Sequence, residues 1–225
     1  MLWYTMSAAM AAPALALALA HGPLLATRLP EPADGVALGK LEYKQLGTPI
    51  RIAWLVAVAL GAQLATGATV MWPAWLVYGS SVAALTWVDA CTTWLPVTLN
   101  WLVTGELALA CGLWCVFTGD ALLALRMAGG AVASLGFWWL FWRISRGALG
   151  FGDVRLAPLA GAMAATLGVA GWFAALLASA VLGVVWGLTI GRLHPAPGTK
   201  HGFAYGPALW AGPYLGLLWV ALFPA

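Results

Sequence analysis

Apolar residues fall in long unbroken runs along this chain, and polar residues are confined to the short gaps between them. The runs occupy 3–27, 50–71, 73–89, 96–117, 121–142, 154–169, 171–191 and 203–223. A helix needs roughly 17–25 apolar residues to cross a bilayer, so the pattern predicts about eight spans, with 154–169 short. Unpaired backbone amides are not tolerated in lipid. The runs are too long and continuous for barrel strands, and the expected fold is an all-α polytopic transmembrane bundle. Residues 1–225 are read as one membrane-embedded domain, with 28–50 as its longest polar loop.

The distribution of charge then orients the bundle. Of the ten Lys and Arg residues, nine (Arg28, Lys40, Lys44, Arg51, Arg143, Arg146, Arg155, Arg192 and Lys200) fall on or beside the first, fifth and seventh loops. Odd-numbered loops share a side if the span count holds, and positive loops stay in the cytoplasm. Both termini are then expected outside. The first apolar run has no basic residue before it, the reverse of a cleaved signal peptide. Composition agrees: the chain is 63% hydrophobic and 8% charged, where a soluble domain carries roughly a quarter charged residues. Lipid is an expected partner and nucleic acid is not.

Three cysteines (Cys91, Cys111, Cys115) and three histidines (His21, His194, His201) lie without metal-ligand spacing. They are read as packing or loop residues, and no metal or cofactor is expected. Gly183, Gly187 and Gly191, and Gly212 and Gly216, recur every fourth residue, a spacing that lets helix backbones approach closely. Glu106 and Arg126 are charges inside apolar runs. At about 1.5 Å per residue their depths differ by roughly 9 Å, which an Arg side chain bridges. An ion pair is the preferred reading, and outward snorkelling of Arg126 the alternative.

Two acids stand out, Asp89 after Trp87-Val88 and Asp153 after Gly150-Phe151-Gly152. Both fall at the basic, cytoplasmic boundary, where an ionisable group is costly and usually functional. Asp153 is expected to open the sixth helix. There the glycines permit unusual backbone angles or the close approach of a second peptide backbone, and the helix dipole favours its charge; a plain N-cap is the bland alternative. Asp89 is expected to end a helix, where the dipole disfavours it. Its bland alternative is an exposed loop acid.

Together these stretches resemble the type IV prepilin peptidases, the bacterial GxGD membrane aspartyl proteases. Asp89 is followed six residues later by Leu95-Pro96, and Gly150 to Leu156 match the family's Gly-x-Gly-Asp-Val-Lys-Leu, with Arg155 for Lys. Phe203 to Leu209, including Gly206-Pro207, look like a late Pro-Phe-Gly-Pro-Phe-Leu stretch of the family. The resemblance begins near residue 50. Loop 28–50 is short and lacks the Cys-x-x-Cys pairs many members carry there, so N-methyltransferase activity is not expected.

The resemblance implies an aspartic endopeptidase of the bacterial cytoplasmic membrane. It would remove the basic leader of a prepilin or pseudopilin, with Asp89 and Asp153 catalytic. Gly150, Gly152, Leu95, Pro96, Gly206 and Pro207 are candidates for positioning substrate. Glu31, Asp34 and Glu42 are the other acids on that face, and a solvated loop is their preferred reading. The competing class is a non-enzymatic transporter or pilus-assembly scaffold that binds a proton or cation between the two acids. Transport sites tend towards the midplane of the bilayer, however, and these acids lie at one edge.

Overall fold

A computed structural model describes residues 55, 57–59, 71–92, 95–146, 149–193 and 204–223. The first apolar run, loop 28–50 with its acids, most of 50–71 and the connection 194–203 lie outside these residues. From residue 72 onward the described elements are α1 (Trp72–Val77), a π-helical turn (Tyr78–Val82), α2 (Ala83–Thr92), α3 (Val97–Thr118), α4 (Ala121–Ile144), α5 (Phe151–Ala165), α6 (Gly168–Leu193) and α7 (Gly206–Leu222). No strand occurs among the described residues.

Three helices, Val97–Thr118, Ala121–Ile144 and Gly168–Thr189, are long and apolar enough to cross a membrane. Their outer faces present bare side chains such as Phe117, Leu125, Val132 and Leu177. A water-facing helix keeps one polar side, so these faces give the chain the character of a membrane protein.

Local chemistry sets the ends of these helices. Gly119 takes a left-handed conformation (φ 68°) just past α3, where a Cβ would be strained. Asp120 then caps α4, its side chain accepting from the Leu123 N–H at 2.9 Å. The short sixth run proves to be α5, 15 residues long, of which Leu156, Ala157 and Met163 are wholly enclosed. Its predicted range of 154–169 shifts to Phe151–Ala165, since a turn at Thr166 and Leu167 precedes Gly168, which has positive φ.

Small residues bring the backbones together. The packing expected at Gly212 and Gly216 occurs: an added Cβ would lie 2.7 Å from the Ala175 and Gly171 carbonyls of α6 respectively. Gly183 instead makes room for the Tyr205 ring. A crossing not anticipated from the sequence joins α4 and α5, where a Cβ on Gly130 would sit 2.6 Å from the Gly161 oxygen.

α1, the π turn and α2 form one continuous rod, since both junction residues, Tyr78 and Ala83, are right-handed helical. The Tyr78 hydroxyl donates to the Trp210 oxygen at 3.0 Å, and the Trp210 indole N–H donates to the Tyr78 oxygen at 3.2 Å. This reciprocal pair pins the π turn to α7. A widened turn rotates whatever follows it, so it sets which side of α2 carries Asp89.

Two expectations are corrected. Asp89 does not end its helix, because α2 runs on to Thr92. Nor does Arg126 reach towards α3. It is exposed and lines a groove with Gly129, Gly130 and Ala133 of α4, whereas Ala124, Met127 and Ala128 face α3. The preferred Glu106–Arg126 pairing does not fit this geometry, because the α4 face bearing Arg126 turns to α5 and α6.

Candidate active site

Asp89 and Asp153 are each 5% exposed. They come from separate elements, α2 and the first turn of α5. The Gly206 N–H donates to Asp89 Oδ2 at 2.8 Å, and Gly206 is the first residue of α7. The Asp89 carboxylate thus meets the positive end of a second helix, which favours its charge. The unfavourable placement read from its own helix is offset by a partner 117 positions away.

Asp153 is the third residue of α5, with Gly150 as N-cap. An acid at this position commonly reaches back towards the cap, and a Cβ on Gly150 would lie 3.1 Å from Asp153 Oδ2. The bland capping role is therefore partly real for one oxygen. The other, Oδ1, is buried with no hydrogen-bond partner among the described residues. Burial first, and the neighbouring Asp89 charge second, push the Asp153 carboxyl well above the ordinary carboxylate range, while a backbone hydrogen bond from Gly150 acts the other way. Two like charges this near cannot both ionise easily. Burial beside a second acid therefore works against the charge that the helix N-terminus favours at Asp153.

The other candidates gather here for reasons of fit. Pro96 is the N-cap of α3, extended at φ −61° and ψ 127°. Leu95 before it is buried against Gly152, where a Cβ would come within 2.9 Å of the Leu95 Cβ. Neither Gly150 (φ −68°) nor Gly152 has a positive φ. The expectation of special backbone angles is overturned, and close approach is what needs these glycines. Gly206 is under the same constraint, since a Cβ would lie 2.6 Å from Asp89 Oδ2. Pro207 falls in the first turn of α7, where its missing N–H has no helical acceptor to lose. The three sequence stretches thus interlock: Leu95 on Gly152, Gly206 on Asp89, and Asp89 beside Asp153.

Tyr205 was not singled out from the sequence. It caps α7 directly before Gly206, donates its hydroxyl to the Ser179 oxygen at 2.9 Å and stacks on Trp138 at 5.0 Å. It ties the start of α7, and so the Gly206 N–H, to α4 and α6. Its position beside the glycine was the only available signal. Among the described residues no three His, Cys, Asp or Glu side chains group as a metal site.

The raised Asp153 carboxyl predicts a pH effect on stability. Between the ordinary carboxyl pKa and the raised one, the folded chain keeps a proton that the unfolded chain releases. Stability is therefore full below that window and falls as pH rises through it. Asp153→Asn should flatten this decline in a thermal melt of the detergent-solubilised protein, and an unchanged pH slope in the variant would contradict the assignment.

Compared with family models, curated proteins and solved structures, the chain matches none.

Proposed function

We propose that this chain is a membrane aspartyl endopeptidase of the type IV prepilin peptidase kind, removing a short basic leader at the cytoplasmic membrane face. The observation that supports it most is the buried carboxyl pair, Asp89 on the Gly206 N–H and Asp153 with one oxygen that no described residue hydrogen-bonds. A purely structural acid would have both oxygens satisfied when buried.

In this reading the scissile peptide lies between the two acids with a water beside it. Asp89, ionised, takes a proton from the water as its oxygen attacks the carbonyl carbon. Asp153, protonated, gives its proton to the carbonyl oxygen. The resulting gem-diol collapses: the C–N bond breaks as the leaving amine receives the proton that Asp89 took, and one hydroxyl of the gem-diol returns its proton to Asp153 as the new carboxyl forms, so both acids regain their starting states. General acid and base action of this kind is worth about 10²–10⁴-fold for each group. The pair titrates as a unit, and neither a covalent intermediate nor a metal is required.

The test is co-expression with the pilin-like precursors of the same genome, followed by intact-mass measurement. One precursor should lose the mass of its leader and carry no added methyl group at its new terminus. If every precursor keeps its full mass while the protein is inserted and folded, the peptidase reading fails.

A further inference from the structure

We propose that the groove beside Arg126 binds the phosphate of a membrane phospholipid, in the leaflet opposite the two aspartates. The groove has a volume of about 460 Å³ and is lined by Arg126, Gly129, Gly130 and Ala133 of α4, Ala165 of α5 and Gly168, Val169, Trp172 and Phe173 at the start of α6. That size falls within the range of small-molecule sites. It opens outward, since Val169 is 75% and Phe173 59% exposed.

Its floor is built by the close crossing of α4 and α5, where Gly130 meets Gly161 and Ala165. One wall is held in place by Trp172, whose indole N–H donates to the Gly130 oxygen at 3.4 Å. At the lip stands an exposed guanidinium. The other described arginines, Arg143, Arg146, Arg155 and Arg192, lie at the far ends of their helices. From Arg126 to Ile144 the axis of α4 covers roughly 27 Å at 1.5 Å per residue, close to the thickness of the hydrocarbon core. Arg126 is therefore about one turn inside the opposite boundary, and its long side chain can reach lipid headgroups.

A guanidinium pairs with a phosphate through two parallel hydrogen bonds. Trp172 at this depth suits the headgroup boundary. Gly129 leaves the space beside it empty, because a Cβ there would meet nothing within 4 Å. An acyl chain below a phosphate on Arg126 has an apolar channel to follow. A soluble anion would leave that channel unfilled, so the occupant is a lipid.

Delipidated protein should be titrated with dioleoylphosphatidylglycerol and read by native mass spectrometry. Wild type should take up one tightly held lipid. Arg126→Gln should weaken that uptake by about tenfold. Gly129→Leu should do the same by filling the groove, without a clash that would unfold the chain. Thermal melts of both variants keep loss of the site distinct from loss of the fold. Equal lipid uptake by well-folded wild type and variants would overturn the assignment. So would competition by inorganic phosphate alone, or a dimer that vanishes with Gly129→Leu, since these would assign the groove to a free anion or a second copy of the chain.

Discussion

Leader removal is expected to fall by at least about 10²–10⁴-fold in Asp89→Asn and equally in Asp153→Asn. Asn has the size and polarity of the protonated acid but cannot exchange its proton. The fold should survive both changes. At position 89 an amide oxygen can still accept the Gly206 N–H bond that now measures 2.8 Å. At position 153 burial and Asp89 already disfavour the charge that Asn removes. Each variant should therefore insert, melt close to wild type and leave the precursor uncut. The losses should also not add, since the two acids act as a unit. Wild-type turnover in either folded variant would sink the two-acid mechanism.

Gly206→Ala and Gly152→Ala should each lower turnover by about a hundredfold, the usual cost of a misplacement near 1 Å. In Gly206→Ala the new Cβ would stand 2.6 Å from Asp89 Oδ2 and 3.2 Å from its Cβ and Cγ. The carboxylate must turn away and release the α7 N–H. In Gly152→Ala the obstacle is the Leu95 Cβ at 2.9 Å, which is fixed to the backbone and cannot rotate clear. The first turn of α5 must shift, and Asp153 with it. Gly105→Ala is the matched control, since its Cβ would meet nothing within 4 Å. There the gain in helix propensity, about 0.5–1 kcal/mol, should slightly raise stability and leave turnover alone. Turnover and melting temperature measured together decide it. Undiminished turnover in Gly206→Ala would mean that the seat of Asp89 is irrelevant to the reaction.

Long apolar runs with few charges allow only helices in lipid, so the all-helical class and the spans at 96–117, 121–142 and 171–191 could be read directly from the sequence. They reappear as α3, α4 and α6, with ends moved by at most three residues. Asp89 and Asp153 were legible as candidates for the same reason, since acids stand out against an apolar background. What the sequence could not carry was pairing between distant elements. The raised Asp153 carboxyl depends on burial and on the other acid, both products of packing. The helix end that supports Asp89 belongs to α7, 117 positions along the chain. The glycines of the Gly-x-Gly-Asp stretch left special backbone angles and close approach both open, and only the structure selects close approach, with Gly152 against the Leu95 side chain. Arg126 and Glu106 lay within side-chain reach in depth, but depth says nothing about azimuth, and rotation of α4 turned Arg126 to the other side. The sequence by itself determined which segments are helices and which residues are chemically unusual, because hydropathy and charge act locally. Only the tertiary structure decided which of those residues meet, because helix rotation and crossing are settled by side chains far apart in the chain.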